Sequence, residues 1–166
     1  LIKTAQDDAG ISLKVLPAVQ AANEAQKRVM TRKVKARFGD DLRGRHFALW
    51  GLAFKPNTND MRQAPSLVLI ADLLAAGATV AAYDPVAMEA ARSELPLDAV
   101  RFASSQTDAL EGADALLIVT EWKEFRSPDF ELIKAKLKQA VIIDGRNLYD
   151  PKLVRMMGVE YVGVGR

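Results

Sequence analysis

The chain has 166 residues, of which 49% are hydrophobic and 27% charged, a balance typical of a folded globular domain. Its 23 basic and 21 acidic side chains are interspersed and give a net charge of +2, so no basic stripe of a nucleic-acid-binding protein is present. Residues 67–83 form the longest weakly polar run, but its change of period predicts a helix and a strand rather than a membrane span. Cysteine is absent, which excludes disulfides and thiolate metal sites and agrees with a cytoplasmic protein; we expect no metal site.

The N-terminal region is predicted to be helical and to begin inside a longer chain. The first residues, "LIKTAQDDAG", contain neither an initiator Met nor a signal-peptide pattern, which indicates a piece of a longer chain. Residues 11–38 then space apolar side chains as a helix does and collect Lys and Arg toward the end, where the helix dipole favours cations. We predict one long helix, bent near Pro17. Its apolar stripe is thin, as in helices that pack on a partner or on another segment.

From residue 46 onward, apolar runs of about five residues alternate with helix-like segments, which is typical of a parallel sheet covered on both faces. We predict helices at 66–76, from 84, near 106–111, and at 129–138 and 151–157, with Ser66 and Asp84 as the caps of the first two. The predicted fold class is α/β, a doubly wound, mostly parallel, Rossmann-like sheet preceded by a long helix. The predicted strands are 46–51, 79–83, 99–102, 115–119, 140–143 and 159–163.

Three polar stretches follow predicted strands, "FKPNTND", "TEWKEF" and "DGRN", and ligands of doubly wound sheets bind at these carboxyl ends. Lys55 and Arg146 leave two different strands at this edge. One is a point charge and the other a fork, so together they suit a phosphate or pyrophosphate. An unremarkable pair of surface cations explains them equally well on physical grounds alone.

A complete dinucleotide site is not expected on this sheet. After Gly51 the next glycine is Gly77, so the glycine-rich turn that lets the backbone approach a pyrophosphate is missing. Asp84 follows the second strand, where an acidic residue often binds a ribose, but the string "YDP" is better explained by a helix cap.

Other polar and aromatic residues have structural explanations. Asp60 and Arg62 stand two apart and suit a local ion pair that shapes the turn. Glu121 follows a strand and suits an acid or base, although one carboxylate without a partner is a weak signal. We predict structural roles for the remaining candidates, His46, Trp50 and Trp122.

The strings "LWGLAFKPNTNDMRQAPS", "AAYDP", "VTEWKEF" and "IIDGRNLYDP" resemble the C-terminal portion of the UDP-glucose 6-dehydrogenases, a branch of the UDP-glucose/GDP-mannose dehydrogenase family. The resemblance covers nearly all of the chain. It implies that residues 1–42 end a central helical region that forms a homodimer, and that residues 43–166 are a C-terminal domain that binds the UDP-sugar.

The resemblance also implies roles for four residues. Phe54, Lys55 and Arg146 would contact the nucleotide sugar, and Arg62 would reach NAD bound mainly by an N-terminal domain. The family oxidises UDP-glucose to UDP-glucuronate in two steps, with two NAD molecules and a catalytic cysteine. This chain contains no cysteine and no G-x-G-x-x-G string, so we expect no catalytic residue in it and no activity from it alone.

Two alternatives remain open at this point. The chain could belong to a dehydrogenase of GDP-mannose or of a UDP-N-acetylhexosamine, because other segments also read the base and the sugar. It could also be a non-catalytic α/β interaction module whose polar loops are only solvated. Comparing the binding of UDP and GDP separates the first alternative, and failure to bind any nucleotide would favour the second.

Overall fold

The structure, a computed structural model, describes residues 15–96 and 98–165. Its centre is a six-stranded sheet in the order β3-β2-β1-β4-β5-β6, in which every neighbouring pair of strands is parallel. This is the order of a Rossmann-like, doubly wound fold, so the predicted fold class is confirmed. Each strand lies within one residue of its predicted bounds: β1 His46–Trp50, β2 Thr79–Tyr83, β3 Val100–Phe102, β4 Ala115–Ile118, β5 Val141–Asp144 and β6 Glu160–Gly163.

Helices connect the strands and cover the sheet. Five follow β1 to β5: α3 Pro65–Ala75, α4 Met88–Glu94, α5 Gln106–Ala109, α6 Phe130–Lys136 and α7 Pro151–Met156. A short 3-10 helix, Lys123–Arg126, lies between β4 and α6. Every residue of β4 and β5 and four of the five in β1 are buried, as expected for central strands with helices on both faces.

The predicted N-terminal helix is present but divided. Residues 11–14 of the prediction lie outside the described residues, and residues 15–38 form α1 Val15–Lys27 and α2 Val29–Phe38, which meet at Arg28 rather than bending near Pro17. Helix α2 packs on the sheet and buries Met30 and Val34 in the core. Within its described length, α1 has no buried residue. The two halves of the segment therefore have different environments.

Two predicted caps are wrong in detail. Helix α3 has Ala64 as its N-cap, and the Ser66 hydroxyl instead donates to the carbonyl of Leu52, at 2.5 Å. Helix α4 begins at Met88, because the carboxylate of Asp84 first holds a turn by accepting from the backbone N–H of Val86 and Ala87. The Ser66 hydroxyl thus satisfies a backbone group of another segment, and Asp84 holds a turn that precedes its helix instead of capping the helix itself.

The fold places a crevice at the carboxyl edge between β1 and β4, where the chain reverses the direction in which it adds strands. The loop after β1 and the loop after β4 border this crevice. None of the helices in the described part of the chain is long and apolar enough to cross a membrane. Among residues 15–96 and 98–165, His, Asp and Glu side chains form no group of three that suits a metal ion.

Candidate functional site

A cavity of about 700 Å³ lies between the N-terminal helices and the carboxyl edge of the sheet. Its volume is within the range of small-molecule sites, roughly 300–1,000 Å³. Its wall is mostly apolar and carries a few polar groups from separate segments. The wall includes Val19 and Lys27 of α1, Met30 of α2, and Phe54, Gln63 and Arg146 of the loops.

The loop after β1 starts from a tightly held backbone. Asp84, only 1% exposed, accepts hydrogen bonds through Oδ2 from the backbone N–H of Leu52 at 2.7 Å and of Ala53 at 3.0 Å. The indole N–H of Trp122 donates to the same oxygen at 3.0 Å. The carboxylate therefore serves internal contacts. This favours the structural explanation of Asp84 over ribose binding.

Phe54 and Lys55 extend from this held backbone. The Phe54 ring lines the cavity and is 52% exposed, and the Phe54 N–H donates to the carbonyl of Asp60 at 2.8 Å, which closes the loop. Lys55 is exposed and has no hydrogen bond or ion pair to any residue in 15–96 or 98–165, and it is not part of the cavity wall. Its ammonium is therefore available to an anionic ligand at this edge.

Asp60 and Arg62 form the predicted local ion pair, which is confirmed. The Arg62 guanidinium donates to both carboxylate oxygens, at 2.9 and 2.8 Å, and its backbone N–H donates at 2.9 Å. These side-chain and backbone hydrogen bonds lower the pKa of Asp60 from 3.8 to about 2. The Arg62 side chain is 88% exposed and lies outside the cavity wall, so its contact with NAD stays a prediction.

Arg146 lines the cavity from the loop after β5 and is bound to Glu121 from the loop after β4. Its backbone N–H donates to Asp144 at 2.8 Å, and the other oxygen of Asp144 accepts from Leu148 N–H and the Tyr161 hydroxyl. The loop is thus fixed by a fully buried carboxylate. Arg146 extends from a rigid support.

Gly145 lies at a close contact between the loop after β5 and helix α2. Its φ is not positive, but a Cβ would lie 3.0 Å from both the carbonyl oxygen of Ile118 and the sulfur of Met30. Glycine therefore allows α2 to lie directly against the loop that carries Arg146.

Comparison with known proteins decides the family. Residues 48–151 match the UDP-binding domain of the UDP-glucose/GDP-mannose dehydrogenase family. The chain belongs to this family. It is 44% identical to the UDP-glucose 6-dehydrogenase of Pseudomonas aeruginosa and 42% identical to that of Rhizobium meliloti, and each match covers 100% of this chain and 37% of the relative. The chain thus spans little more than a third of the length of these curated relatives.

A solved structure agrees with the family assignment. The UDP-glucose dehydrogenase of Pyrobaculum islandicum superimposes with a TM-score of 0.76 and is 31% identical, and the match covers 96% of this chain and 34% of that one. The superposition includes most of the chain beyond the matched domain. The dehydrogenase resemblance inferred from the strings around Lys55 and Arg146 is therefore confirmed at the level of fold and family.

Within this family member, the structure unites some of the predicted site residues and separates others. Phe54 and Arg146, 92 residues apart in the sequence, line one cavity. Lys55 and Arg62 lie on the same loop as Phe54 but outside the cavity wall. His46, Trp50 and Trp122 have structural contacts, with Thr79, Phe125 and Asp84 respectively.

Two wall residues were missed by the sequence argument. The Lys27 ammonium donates to the side-chain oxygen of Gln63 at 2.6 Å and to Glu24 at 2.9 Å, and so ties α1 to the loop after β1. Gln63 has a φ of +59°, in the left-handed region that glutamine seldom adopts. No sequence pattern signals this contact, because it depends on how α1 lies across the sheet edge.

Proposed function

We propose that this chain supplies the nucleotide-sugar-binding part of an NAD-dependent UDP-glucose 6-dehydrogenase, which oxidises UDP-glucose to UDP-glucuronate in two steps. The observation that carries the proposal is the cavity between the N-terminal helices and the carboxyl edge of the sheet, because its wall includes Phe54 and Arg146 of the region that matches the family's UDP-binding domain. A catalytic cysteine would come from outside this cysteine-free sequence.

The chemistry of three residues suits a nucleotide sugar. The diphosphate is an anion, and Lys55 and Arg146 supply cations of different shape, a point charge and a planar fork. The half-exposed ring of Phe54 offers an apolar face that a sugar or base would cover, which removes the ring from water. These features support Phe54, Lys55 and Arg146 as the substrate-binding residues.

For NAD, the described residues offer only a limited fit. Arg62 is an exposed cation on the loop after β1, but no glycine follows Gly51 before Gly77, and the Asp84 carboxylate is bound internally. We therefore assign Arg62 a peripheral contact with NAD and place the main NAD site elsewhere in a longer chain. NAD would accept the hydride from the substrate there.

A homodimer in the cytoplasm completes the proposal. Val15 and Val19 of α1 are 73% and 49% exposed, and such apolar side chains favour contact with another chain. The proposed division of labour assigns residues 1–42 to a dimerising helical region and residues 43–166 to UDP-sugar binding.

Titration calorimetry with UDP, GDP and UDP-N-acetylglucosamine tests the substrate class. We expect UDP to bind this chain and GDP to bind at least tenfold more weakly, a difference of about 1.4 kcal/mol. Preference for GDP would overturn the UDP assignment. In the full-length protein, absence of any nucleotide binding would favour the interaction-module alternative.

An assay of NADH formation tests the division of labour. We expect this chain with UDP-glucose and NAD to form no NADH, and the full-length protein to form it. Turnover by the purified, cysteine-free chain would contradict the proposal.

A further inference from the structure

The backbone of Leu52 and Ala53 has an unusual set of partners. Both N–H groups donate to Asp84, and the Leu52 carbonyl accepts from the Ser66 hydroxyl at 2.5 Å. The Ala53 carbonyl accepts from the Thr120 hydroxyl at 2.6 Å. Side chains from the end of β2, the start of α3 and the end of β4 thus satisfy all four backbone groups.

These side chains replace the hydrogen bonds that neighbouring strands would supply if the sheet continued past Gly51. The pairing of β1 stops after Gly51, whose N–H still donates to Tyr83, so the next two residues have no strand neighbours to bind. Backbone groups left unpaired in a buried place destabilise the fold, because they lose their hydrogen bonds to water without replacement. Asp84, Ser66 and Thr120 are all at most 1% exposed. Because water does not reach this segment, these side chains supply the hydrogen bonds of its backbone.

We propose that Asp84, Ser66 and Thr120 are positioning residues of the nucleotide-sugar site, a role that rests on the function proposed above. They fix the backbone of Leu52 and Ala53, and this sets where the Phe54 ring and the Lys55 ammonium begin. None of the three lines the cavity, so they act on a ligand only through the residues that follow the fixed segment.

The physical effect is preorganisation. A ligand that meets the backbone of Phe54 and Lys55 already in place does not have to order that segment, so less of its binding free energy is lost to ordering. Loss of one of the fixing hydrogen bonds should therefore weaken binding although no ligand contact is removed. It should also expose the loop amides to exchange with solvent.

Thr120→Val tests the role, because valine keeps the shape of threonine and removes only the hydroxyl donor to Ala53. Thr120→Ser restores the hydroxyl. Tyr149→Phe is the matched control, since the Tyr149 hydroxyl also donates to a buried carbonyl, that of Phe125, outside the cavity wall. The measurements are UDP affinity by calorimetry, amide hydrogen exchange and the melting temperature.

We expect Thr120→Val to weaken UDP binding about fivefold and to speed exchange of the Phe54 amide about tenfold, with Thr120→Ser close to the parent chain. Tyr149→Phe should lower the melting temperature about as much as Thr120→Val does, but it should not change UDP affinity. The positioning role would be overturned if Thr120→Val bound UDP as tightly as the parent chain, or if Tyr149→Phe lost as much UDP affinity as Thr120→Val.

The failures can be told apart. A parent chain without affinity for UDP would overturn the proposed function, and unchanged exchange at Phe54 in Thr120→Val would independently overturn the positioning role. If Thr120→Val does not fold, Ser66→Ala tests the same segment at Leu52 with the same measurements and the same expected losses.

Discussion

Arg146 donates two hydrogen bonds from its guanidinium to the carboxylate of Glu121, one from Nε and one from Nη2 at 2.7 Å, and the pair joins the loops after β4 and β5. Burial raises the pKa of Glu121 and is the largest single influence on it, but the side-chain hydrogen bond from Arg146, a backbone hydrogen bond and the charges of Arg146 and Arg126 together outweigh burial and leave that pKa below its ordinary value of 4.5. A carboxylate held in its charged form is a poor proton acceptor. Glu121 is therefore better described as the residue that orients Arg146 than as an acid or base.

Arg146→Lys should raise the KM of the full-length enzyme for UDP-glucose severalfold, because an ammonium keeps the charge but cannot make two parallel contacts. The melting temperature should hardly change, because a partly exposed ion pair contributes about 0–1 kcal/mol. Arg101→Lys is the matched control, since Arg101 has a similarly exposed pair with Asp108 at the edge strand β3. If calorimetry shows that Arg146→Lys binds UDP-glucose as tightly as the parent enzyme, Arg146 is an ordinary surface cation and does not hold the substrate.

Lys55→Ala in the full-length enzyme should weaken UDP-glucose binding or turnover at least tenfold, which corresponds to about 1.4 kcal/mol. The reason is that Lys55 is exposed at the edge where the ligand is proposed to bind and makes no hydrogen bond or ion pair with the described residues, although its charge contributes to the low pKa of Asp60. Lys138→Ala, at the amino-terminal edge of the sheet beyond Ala113, should leave the kinetics unchanged. Steady-state kinetics of the two variants decide the matter, and equal behaviour would remove Lys55 from the site.

Arg62→Ala should raise the pKa of Asp60 from about 2 toward 3.8, because it removes the side-chain hydrogen bonds that favour the charged carboxylate. In the parent chain this depressed pKa contributes stability that is fully present above about pH 4 and is lost as pH falls toward 2. Carbon-13 titration of the Asp60 carboxyl group measures the shift. The titration of Asp41, which is paired with Arg43, should be the same in both chains and serves as the control.

Gly51→Ala should be more destabilising than Gly39→Ala, although the two glycines have nearly the same φ, +91° and +92°. Both substitutions carry the backbone strain, but only at Gly51 would the new methyl group lie 2.5 Å from Thr120, whose backbone nitrogen is also within 2.6 Å. Overpacking of this kind costs about 1–3 kcal/mol beyond the strain. Chemical denaturation of both variants compares the two costs, and equal losses would show that the contact yields without penalty.

The strands and the helices between them were predictable because short apolar runs such as those of β4 and β5, bounded by polar segments, have the length of buried parallel strands. The carboxyl edge followed from the same pattern, and with it the loops of Phe54, Lys55 and Arg146. Family resemblance, rather than physics, assigned those three residues to a nucleotide sugar.

The remaining features depend on contacts between distant segments. The tie between Lys27 and Gln63, and the close approach of Met30 to Gly145, arise only when the N-terminal helices lie across the sheet edge. Ser66 was expected to cap its own helix, yet its hydroxyl binds Leu52 because the adjacent loop presents a carbonyl that needs a donor. Local patterns carry no information about such partners.

Helix α2 has a practical consequence for anyone who divides this chain. Val34 is fully buried, Met30 is 7% exposed, and Phe38 packs edge-on against Phe47 of β1 at 5.3 Å, so the segments on either side of residue 42 share one hydrophobic core. The functional boundary proposed at that residue is therefore not a place to cut. A gene fragment meant for domain exchange between relatives should start before Val29, because one that starts at residue 43 would leave an apolar groove open on the sheet and invite aggregation.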